Sequence, residues 1–414
     1  MVGTKYKSGD YLPYIYKTEN YGKTWKQITN GIGAEDFTRA LRADPKRKGL
    51  LYAGTERGMY ISFDDGTNWN KFQLNLPVVP ITDLAIKNDN LIAATQGRSF
   101  WMIDDLTPFH QLNPILLQED VILFKPQDSY RMGGGNGRTS KTSGTNHPGG
   151  VAINFYIKEK KVEKPVSIHI FDNTNRLIKT FSTKPNKENK EEKLTIKNGN
   201  NIFYWNMMYP GAEKVKGMIL WWASLDGPMA LPGNYKVTLT MGEISTSQNF
   251  TILKNPISET SLADAKAQFN FINDINAKVT EIHKALKNVK KVRAQVKSLQ
   301  ESIKGVEKHK ELVTYAKDLL KEMTIIEETL YQTKSKSNQD PLNFPIRLNN
   351  KLAHLNSLTR IGSYAPTQQA VDFKNEINKK IDQELAKLYD LFDNKVKVLN
   401  QKVKDSQIDL IQLD

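Results

Sequence analysis

The chain has no cysteine in its 414 residues. That excludes disulfides, thiolate metal sites and a cysteine nucleophile. It has no apolar run of the roughly 18 residues that a membrane-spanning helix needs. Its first residues, MVGTKYKSGDYLPY, lack the apolar stretch of a secretory leader. No pattern of histidines and carboxylates calls for a metal, and none calls for a cofactor.

Apolar residues make up 39% of the chain, aromatics 9% and charged residues 25%, with a mean hydropathy of -0.54. This describes a soluble chain with enough apolar surface for packed cores, and its length predicts two or three domains. There are 59 Lys and Arg against 45 Asp and Glu, a formal charge of +14. The lysines are spread along the C-terminal part and alternate with glutamates. Nucleic-acid binders concentrate charge on one face with interleaved aromatics, so a solvated surface is expected and nucleic acid is not the expected partner.

An internal repeat organises the N-terminal quarter. Leu51–Asp65 aligns without a gap on Leu91–Asp105 at an offset of 40, placing Thr55 on Thr95, Asp64 on Asp104 and Trp69 on Phe109. Upstream, the run beginning at Phe37 matches the run beginning at Ile81 at an offset of 44, and Trp25 lies 44 residues before Trp69. Each unit reads as four short strands between turn residues, the length of one β-propeller blade. Two turns carry a further signal, Thr18-Glu-Asn20-Tyr-Gly22-Lys-Thr24-Trp25 and Ser62-Phe-Asp64-Asp-Gly66-Thr-Asn68-Trp69. In both, an Asp or Asn can bond nearby backbone N–H groups, Gly supplies a left-handed residue, and Trp packs between sheets. Asp64, Asp65, Asp104 and Asp105 are therefore expected to be turn residues, with Asp104-Asp105 ending the series as a degenerate copy.

These turns resemble the Asp-box, S/T-x-D-x-G-x-T-W, of sialidases, sortilin-type (VPS10) domains and several glycosidase propellers. The resemblance implies a partial Asp-box β-propeller of two to three blades over residues 1–126. The repeats begin mid-strand at Val2, so the remaining blades are expected upstream in the natural protein. Residues 127–150 contain a Gly- and Ser-rich stretch from Gly133 to Gly150 that reads as a loop or linker.

From 151 to 254, runs such as Val151–Ile157, Val166–Phe171 and Tyr235–Met241 alternate with turn clusters, the pattern of an immunoglobulin-like β-sandwich. Leu231-Pro-Gly-Asn-Tyr-Lys-Val resembles the edge of accessory sandwich modules in bacterial exported proteins. Trp205, Trp221 and Trp222 read as core or rim packing, with a sugar-binding face as the alternative. From 258 to 414, apolar residues recur at threes and fours, predicting helices over about 262–303, 306–334, 346–359 and 367–403 in an antiparallel bundle. His283, His309 and His354 have no partner at helical ligand spacing and are expected on the surface.

Taken in order, these units resemble the C-terminal part of large exported bacterial proteins with sortilin-like BNR-repeat propellers, often named glycosyl hydrolases. That resemblance implies a periplasmic, cell-surface or extracellular setting. The hydrolase name follows from the boxes and transfers no chemistry. Arg39, Arg57, Arg98 and Arg138 are present without the motif of a sialidase arginine triad. Blade geometry puts candidate ligand-binding residues at the end opposite the boxes: Glu35, Asp36, Glu56, Arg57, Gln96 and Arg98. Salt bridging between blades is the other reading of the arginines. The expected function is protein or glycan binding, or assembly, without catalysis by this chain. The alternative is a glycoside hydrolase completed by further blades, with two facing carboxylates.

Overall fold

The computed structural model describes residues 1–135, 144, 146–158, 164–188 and 190–408. Arg138 and half of the predicted Gly133–Gly150 stretch lie outside them. The architecture is mixed: several small sheets, one curled six-stranded sheet and C-terminal helices.

The first three sheets are antiparallel meanders in chain order. Strands β1 (Val2–Lys5), β2 (Asp10–Lys17) and β3 (Lys26–Gln27) form the first, and β4 (Thr38–Ala43), β5 (Leu51–Thr55), β6 (Gly58–Ser62) and β7 (Asn70–Lys71) the second. The third comprises β8 (Ile81–Lys87), β9 (Asn90–Thr95) and β10 (Phe100–Ile103). Because side chains alternate across a strand, each sheet has two faces, and the sheets stack through them. Ile15, Ile28 and Ile32 from the first sheet region meet Ala53, Tyr60 and Trp69 of the second. Tyr52, Met59 and Ile61 on the second sheet's other face meet Ile81, Leu84, Leu91 and Ala93 of the third.

Pairing revises the repeat alignment by one residue in two places. Thr38 and Ile81 face the equivalent Thr55 and Thr95, so the first strands are offset by 81 - 38 = 43, not 44. Tyr60 faces Ala53 whereas Trp101 faces Ala93, so the third strands are offset by 101 - 60 = 41. The β9–β10 turn holds one more residue than the β5–β6 turn, and Asp105, not Asp104, corresponds to Asp64. An ungapped alignment cannot see a lengthened turn, whereas the alternation of faces can. Asp105 accepts from Thr107 N at 2.9 Å and Thr107 Oγ1 at 2.6 Å, at the start of α1 (Thr107–Gln111).

The two boxes share one hydrogen-bond pattern. Gly22 N donates to Thr18 Oγ1 at 2.8 Å and Thr24 N to Asn20 Oδ1 at 2.8 Å. Gly66 N donates to Ser62 Oγ at 2.9 Å and Asn68 N to Asp64 Oδ1 at 2.8 Å. Tyr21 and Asp65 are left-handed at φ 56° and 61°, as a turn closed by its own side chain permits. The tryptophans differ. Trp69 is 3% exposed, and its Nε1 donates across to Ile28 O at 2.8 Å. Trp25 is 46% exposed, and its Nε1 turns back to Gly22 O at 3.1 Å.

A second body begins earlier than the sequence suggests. Strand β11 (Val121–Leu123) pairs with β13 (Val151–Ile157), and β12 (Ser129–Tyr130) pairs with β19 (Ile244–Leu253). Residues 121–130 thus belong with the second β region, beyond the three meanders and outside the linker. At the linker's ends, Gly133 and Gly149 bridge each other. The three-stranded sheet β11-β13-β17, with β17 (Gly199–Trp205), faces the curled sheet. That sheet runs β12-β19-β18-β14-β15-β16, with β14 (Val166–Phe171), β15 (Leu177–Ser182), β16 (Glu192–Lys193) and β18 (Gly233–Met241). Ile153, Phe155, Ile168, Ile170, Val237 and the fully buried Trp205 fill the core between them.

The helices are α2 (Leu262–Ser302), α3 (Lys310–Leu330), α4 (Leu348–Thr359), α5 (Gln368–Asp390) and, after a π-helical turn at Leu391–Lys395, α6 (Val396–Asp405). Ser261 caps α2 through Asp264 N at 3.0 Å, and Thr367 caps α5 through Ala370 N at 3.2 Å, each satisfying an N–H that has no partner within the helix. Ile275, Val279, Ile282, Leu286, Leu319, Met323, Ile381 and Leu385 form the bundle core.

Residues 206–232, between β17 and β18, run into this bundle as a largely irregular segment, and Ala212 joins its core. Buried helix side chains satisfy the segment's backbone. Asn350 accepts from Trp221 N at 2.6 Å and donates to Trp221 O at 2.9 Å. Asn356 donates to Ser224 O and Asp226 O, both at 3.1 Å, and Asn276 donates to Asp226 O at 2.8 Å. His283 and His309 are buried, contrary to expectation, at 0% and 7% exposure. His283 Nδ1 lies 2.5 Å from Glu213 O, so it must donate, leaving Nε2 to accept from Asn349 at 3.3 Å. The polar partners that bury it lie some 70 residues away, beyond the reach of a local spacing rule.

Two measurements test this packing. Trp69→Ala should cost about 3–5 kcal/mol in denaturant unfolding, whereas Trp25→Ala should cost under about 1 kcal/mol. Burial holds His283 below the ordinary histidine range. Its neutral form is therefore favoured in the fold, while the unfolded chain takes the proton near pH ~6.5. Its contribution to stability is complete above that pH and declines as pH falls toward the lower folded value. Melting temperature should drop between pH 7.5 and 5.5, and His283→Asn should flatten that slope.

Candidate functional site

The six residues singled out for ligand contact fall at one end of the meander stack, opposite the boxes. Glu56 and Arg57 occupy the β5–β6 turn, Gln96 and Arg98 the β9–β10 turn, and Glu35 and Asp36 the connection from β3 to β4. Each position follows from the repeat, since a meander puts alternate turns at opposite ends.

Three of the six converge. Arg57 Nε donates to Asp36 Oδ1 at 2.8 Å and its Nη2 to Glu35 Oε2 at 2.9 Å. Asp36 is buried, and its other oxygen accepts from Tyr60 OH at 2.5 Å. The Asp36 contact raises Arg57 above the ordinary arginine range, and burial followed by the Asp36 contact raises Tyr60. This group ties the connection that leads into β4 to the β5–β6 turn of the second sheet.

Glu56 does not join them. It accepts from Arg39 Nε at 2.6 Å and Nη2 at 2.5 Å. Arg39 also lies over the rings of Phe37 and Tyr6, 5.0 and 5.6 Å from their centroids. Tyr6 stacks on Phe37 at 4.8 Å, and the half-exposed Tyr11 lies 6.2 Å from Phe37. Tyr6 and Tyr11 were not singled out in the sequence, because they precede the segment in which the repeat can be aligned. Together they add an aromatic platform to a charged end, a pairing that suits stacking beside hydrogen-bond recognition.

On the third sheet, the exposed Arg98 donates through Nη1 to Gly97 O at 3.0 Å, its one side-chain partner among the described residues. Gln96 N donates to Pro80 O at 2.9 Å, and its side chain is exposed. Neither residue is joined to the Glu35–Asp36–Arg57 group. Of the tryptophans, Trp205 is core, while Trp221 and the 75%-exposed Trp222 sit on the irregular 206–232 segment. The three share no face. No helix among the described residues is long and apolar enough to cross a membrane.

No family model matches the chain, and no curated protein matches it. Among solved structures, it is similar to the extracellular domain of a hybrid two-component system protein from B. thetaiotaomicron at 10% identity and a TM-score of 0.21. That match covers 58% of this chain and 29% of the other. Another structure, pT26-6p, is similar at 8% identity and a TM-score of 0.11, over 83% of this chain and 67% of that one. The chain spans less than a third of the first of these.

The carboxylates divide by accessibility. Asp36→Ala would leave the buried Tyr60 OH without its acceptor and release the exposed Arg57, and should cost about 1–3 kcal/mol. Glu35→Ala, at an exposed ion pair, should stay within about 0.5 kcal/mol. Urea unfolding of both variants checks the difference.

Proposed function

We propose that this chain is a binding and assembly module built on Asp-box propeller blades of the sortilin (VPS10)-like, BNR-repeat type, with an immunoglobulin-like sandwich and a helical bundle behind them. Two boxes with matching hydrogen bonds and three meanders stacked face to face in chain order support the blade reading. The proposed setting is the one the resemblance implies, outside the cytoplasm of a bacterium.

One observation carries the binding role. At the end opposite the boxes, Asp36 and Glu56 are each held by a guanidinium, beside the Tyr6–Phe37 platform. Carboxylates neutralised this way are poorly placed to act as a nucleophile and proton donor pair. Exposed guanidinium, amide and ring groups suit a glycan or peptide ligand. The proposed contacts are Glu35, Asp36, Glu56, Arg57, Gln96 and Arg98, with Arg39, Tyr6 and Tyr11 beside them.

Glu56→Gln combined with Arg98→Ala should lower the signal on glycan and peptide arrays about tenfold, while the melting curve stays near wild type. Unchanged binding removes this end of the stack as the site. Turnover of chromogenic glycosides by the chain itself overturns the non-catalytic reading.

A further inference from the structure

Arg131 follows β12 where the curled sheet, the 206–232 segment and the helices meet. Its N–H donates to Leu253 O at 2.8 Å, which seats it beside β19. Its side chain turns toward the helices. Nε donates to Ala230 O at 2.9 Å, and Nη1 donates to Ser363 Oγ at 3.4 Å on the connection between α4 and α5. That connection is itself fixed, because the buried Gln268 donates to Thr359 O at 2.8 Å and to Gly362 O at 3.1 Å. Three separate elements therefore aim the guanidinium.

Among the described residues its side-chain partners are one carbonyl and one hydroxyl, with no carboxylate. Arg39, Arg57, Arg293 and Arg360, by contrast, each reach a carboxylate. Arg131 is half-buried, and burial holds it below the ordinary arginine range. A charge taken out of water without a counter-charge is costly. A guanidinium also carries five N–H donors, and most of these are left over here.

The guanidinium borders a pocket of about 200 Å³, whose other walls come from the β19–α2 connection and from Pro232, Leu262 and Ala265. The hydrogen-bond inventory of this pocket is one-sided. Its acceptors are taken: Asn255 Oδ1 by Ile257 N at 3.1 Å, Ser258 Oγ by Thr260 N at 3.3 Å, and Thr260 Oγ1 by Ser258 Oγ at 3.0 Å. Ser261 Oγ is committed to Asp264, so the first turn of α2 is already capped. Donors remain. The Thr260 and Ser363 hydroxyl hydrogens and the exposed Lys254 ammonium have no acceptor among the described residues. Spare donors around one cation fit an anion, and a guanidinium with a free edge grips two oxygens as a fork.

The pocket narrows the choice of anion. Its volume is below the roughly 300–1,000 Å³ of a drug-sized site, one flank is apolar, and a single half-buried guanidinium balances a single negative charge. We propose that it binds the carboxylate of a small acid with an apolar body, with Arg131 as the anchor and the hydroxyls of Thr260 and Ser363 as further donors. The acid is a free small molecule or the C-terminal end of a peptide, which offer the same chemistry. This site is separate from the end of the meander stack and does not depend on the binding proposed there.

Isothermal titration calorimetry on the full chain tests it at constant ionic strength. N-acetyl-leucine should bind saturably at one site, and its uncharged amide should not. Ser363→Ala and Thr260→Val each remove one donor and should weaken binding about tenfold, the loss expected for a hydrogen bond to a charged group. Both residues are only half-buried, so their melting curves should stay near wild type. Arg131→Lys keeps the charge but not the fork, and should weaken binding by more than about tenfold. Acetyl-Gly-Gly-Leu separates the two sources: binding like that of N-acetyl-leucine supports a chain end, and its exclusion supports a free acid. No binding by any monocarboxylate from acetate to N-acetyl-leucine overturns the proposal. So does equal binding of acid and amide, or an affinity unchanged in all three variants. Tighter binding of inorganic phosphate or sulfate than of every carboxylate overturns it as well.

Discussion

Buried backbone must find hydrogen-bond partners, and much of this molecule's organisation depends on how residues 206–232 meet that demand. The segment leaves the β core as largely irregular chain whose two arms pair at their base, Ala230 N with Met207 O, Tyr209 N with Pro228 O and Ala212 N with Leu225 O. Its tip enters a helical core, where its remaining N–H and C=O groups need other partners. Asn276, Asn350 and Asn356 take the place of a neighbouring strand. Each amide carries a donor and an acceptor on one short side chain, and Asn350 uses both on the two backbone groups of Trp221. His283 and Asn349 close the network at its other end. An amide left unpaired there would cost more than a well-made bond contributes, so the arrangement holds the segment to one path. It also fastens the helices to the β region through specific bonds in addition to apolar contact.

The meander stack rests on a different constraint. Successive sheets must present apolar residues on both faces while every strand alternates in and out. Gly31 shows how closely two of them approach: at φ 96°, a Cβ there would fall 2.2 Å from Trp69 O. The turn at Asn30–Gly31 therefore admits the neighbouring sheet's backbone, and Trp69 N donates to Asn30 O at 2.9 Å. Side chain and main chain of one tryptophan thus seat on the same short stretch of the preceding sheet.

How much of this is legible in the sequence depends on the range of the interactions. Both boxes are readable because their bonds close within four residues. The long helices are readable because their apolar period is local; α2 is expected over about 262–303 and found at Leu262–Ser302. The strand registers differ from the repeat alignment by one residue where a turn has lengthened, since pairing is a property of two strands. Residues 121–130 go to a different neighbour than their sequence position suggests, because β11 and β12 are short and find partners more than 30 residues away. Burial of His283 and His309 leaves no local trace. At the candidate site, the repeat places six residues at the end of the stack opposite the boxes, but the exchange of partners that gives Glu56 to Arg39 and Asp36 to Arg57 needs side-chain geometry.

The unequal turn lengths matter beyond register. Between the second and third meanders the offset is 43 in the first strand, 40 in the second and 41 in the third. Yet Leu84, Leu91 and Ala93 still point toward the neighbouring sheet. Changes in length have been absorbed at the tips, where an added residue displaces the next strand in number without reversing which of its sides faces inward. The scaffold and its rim are thus free to diverge separately: the stack fixes parity, and the tips remain a variable margin on which new recognition can be written.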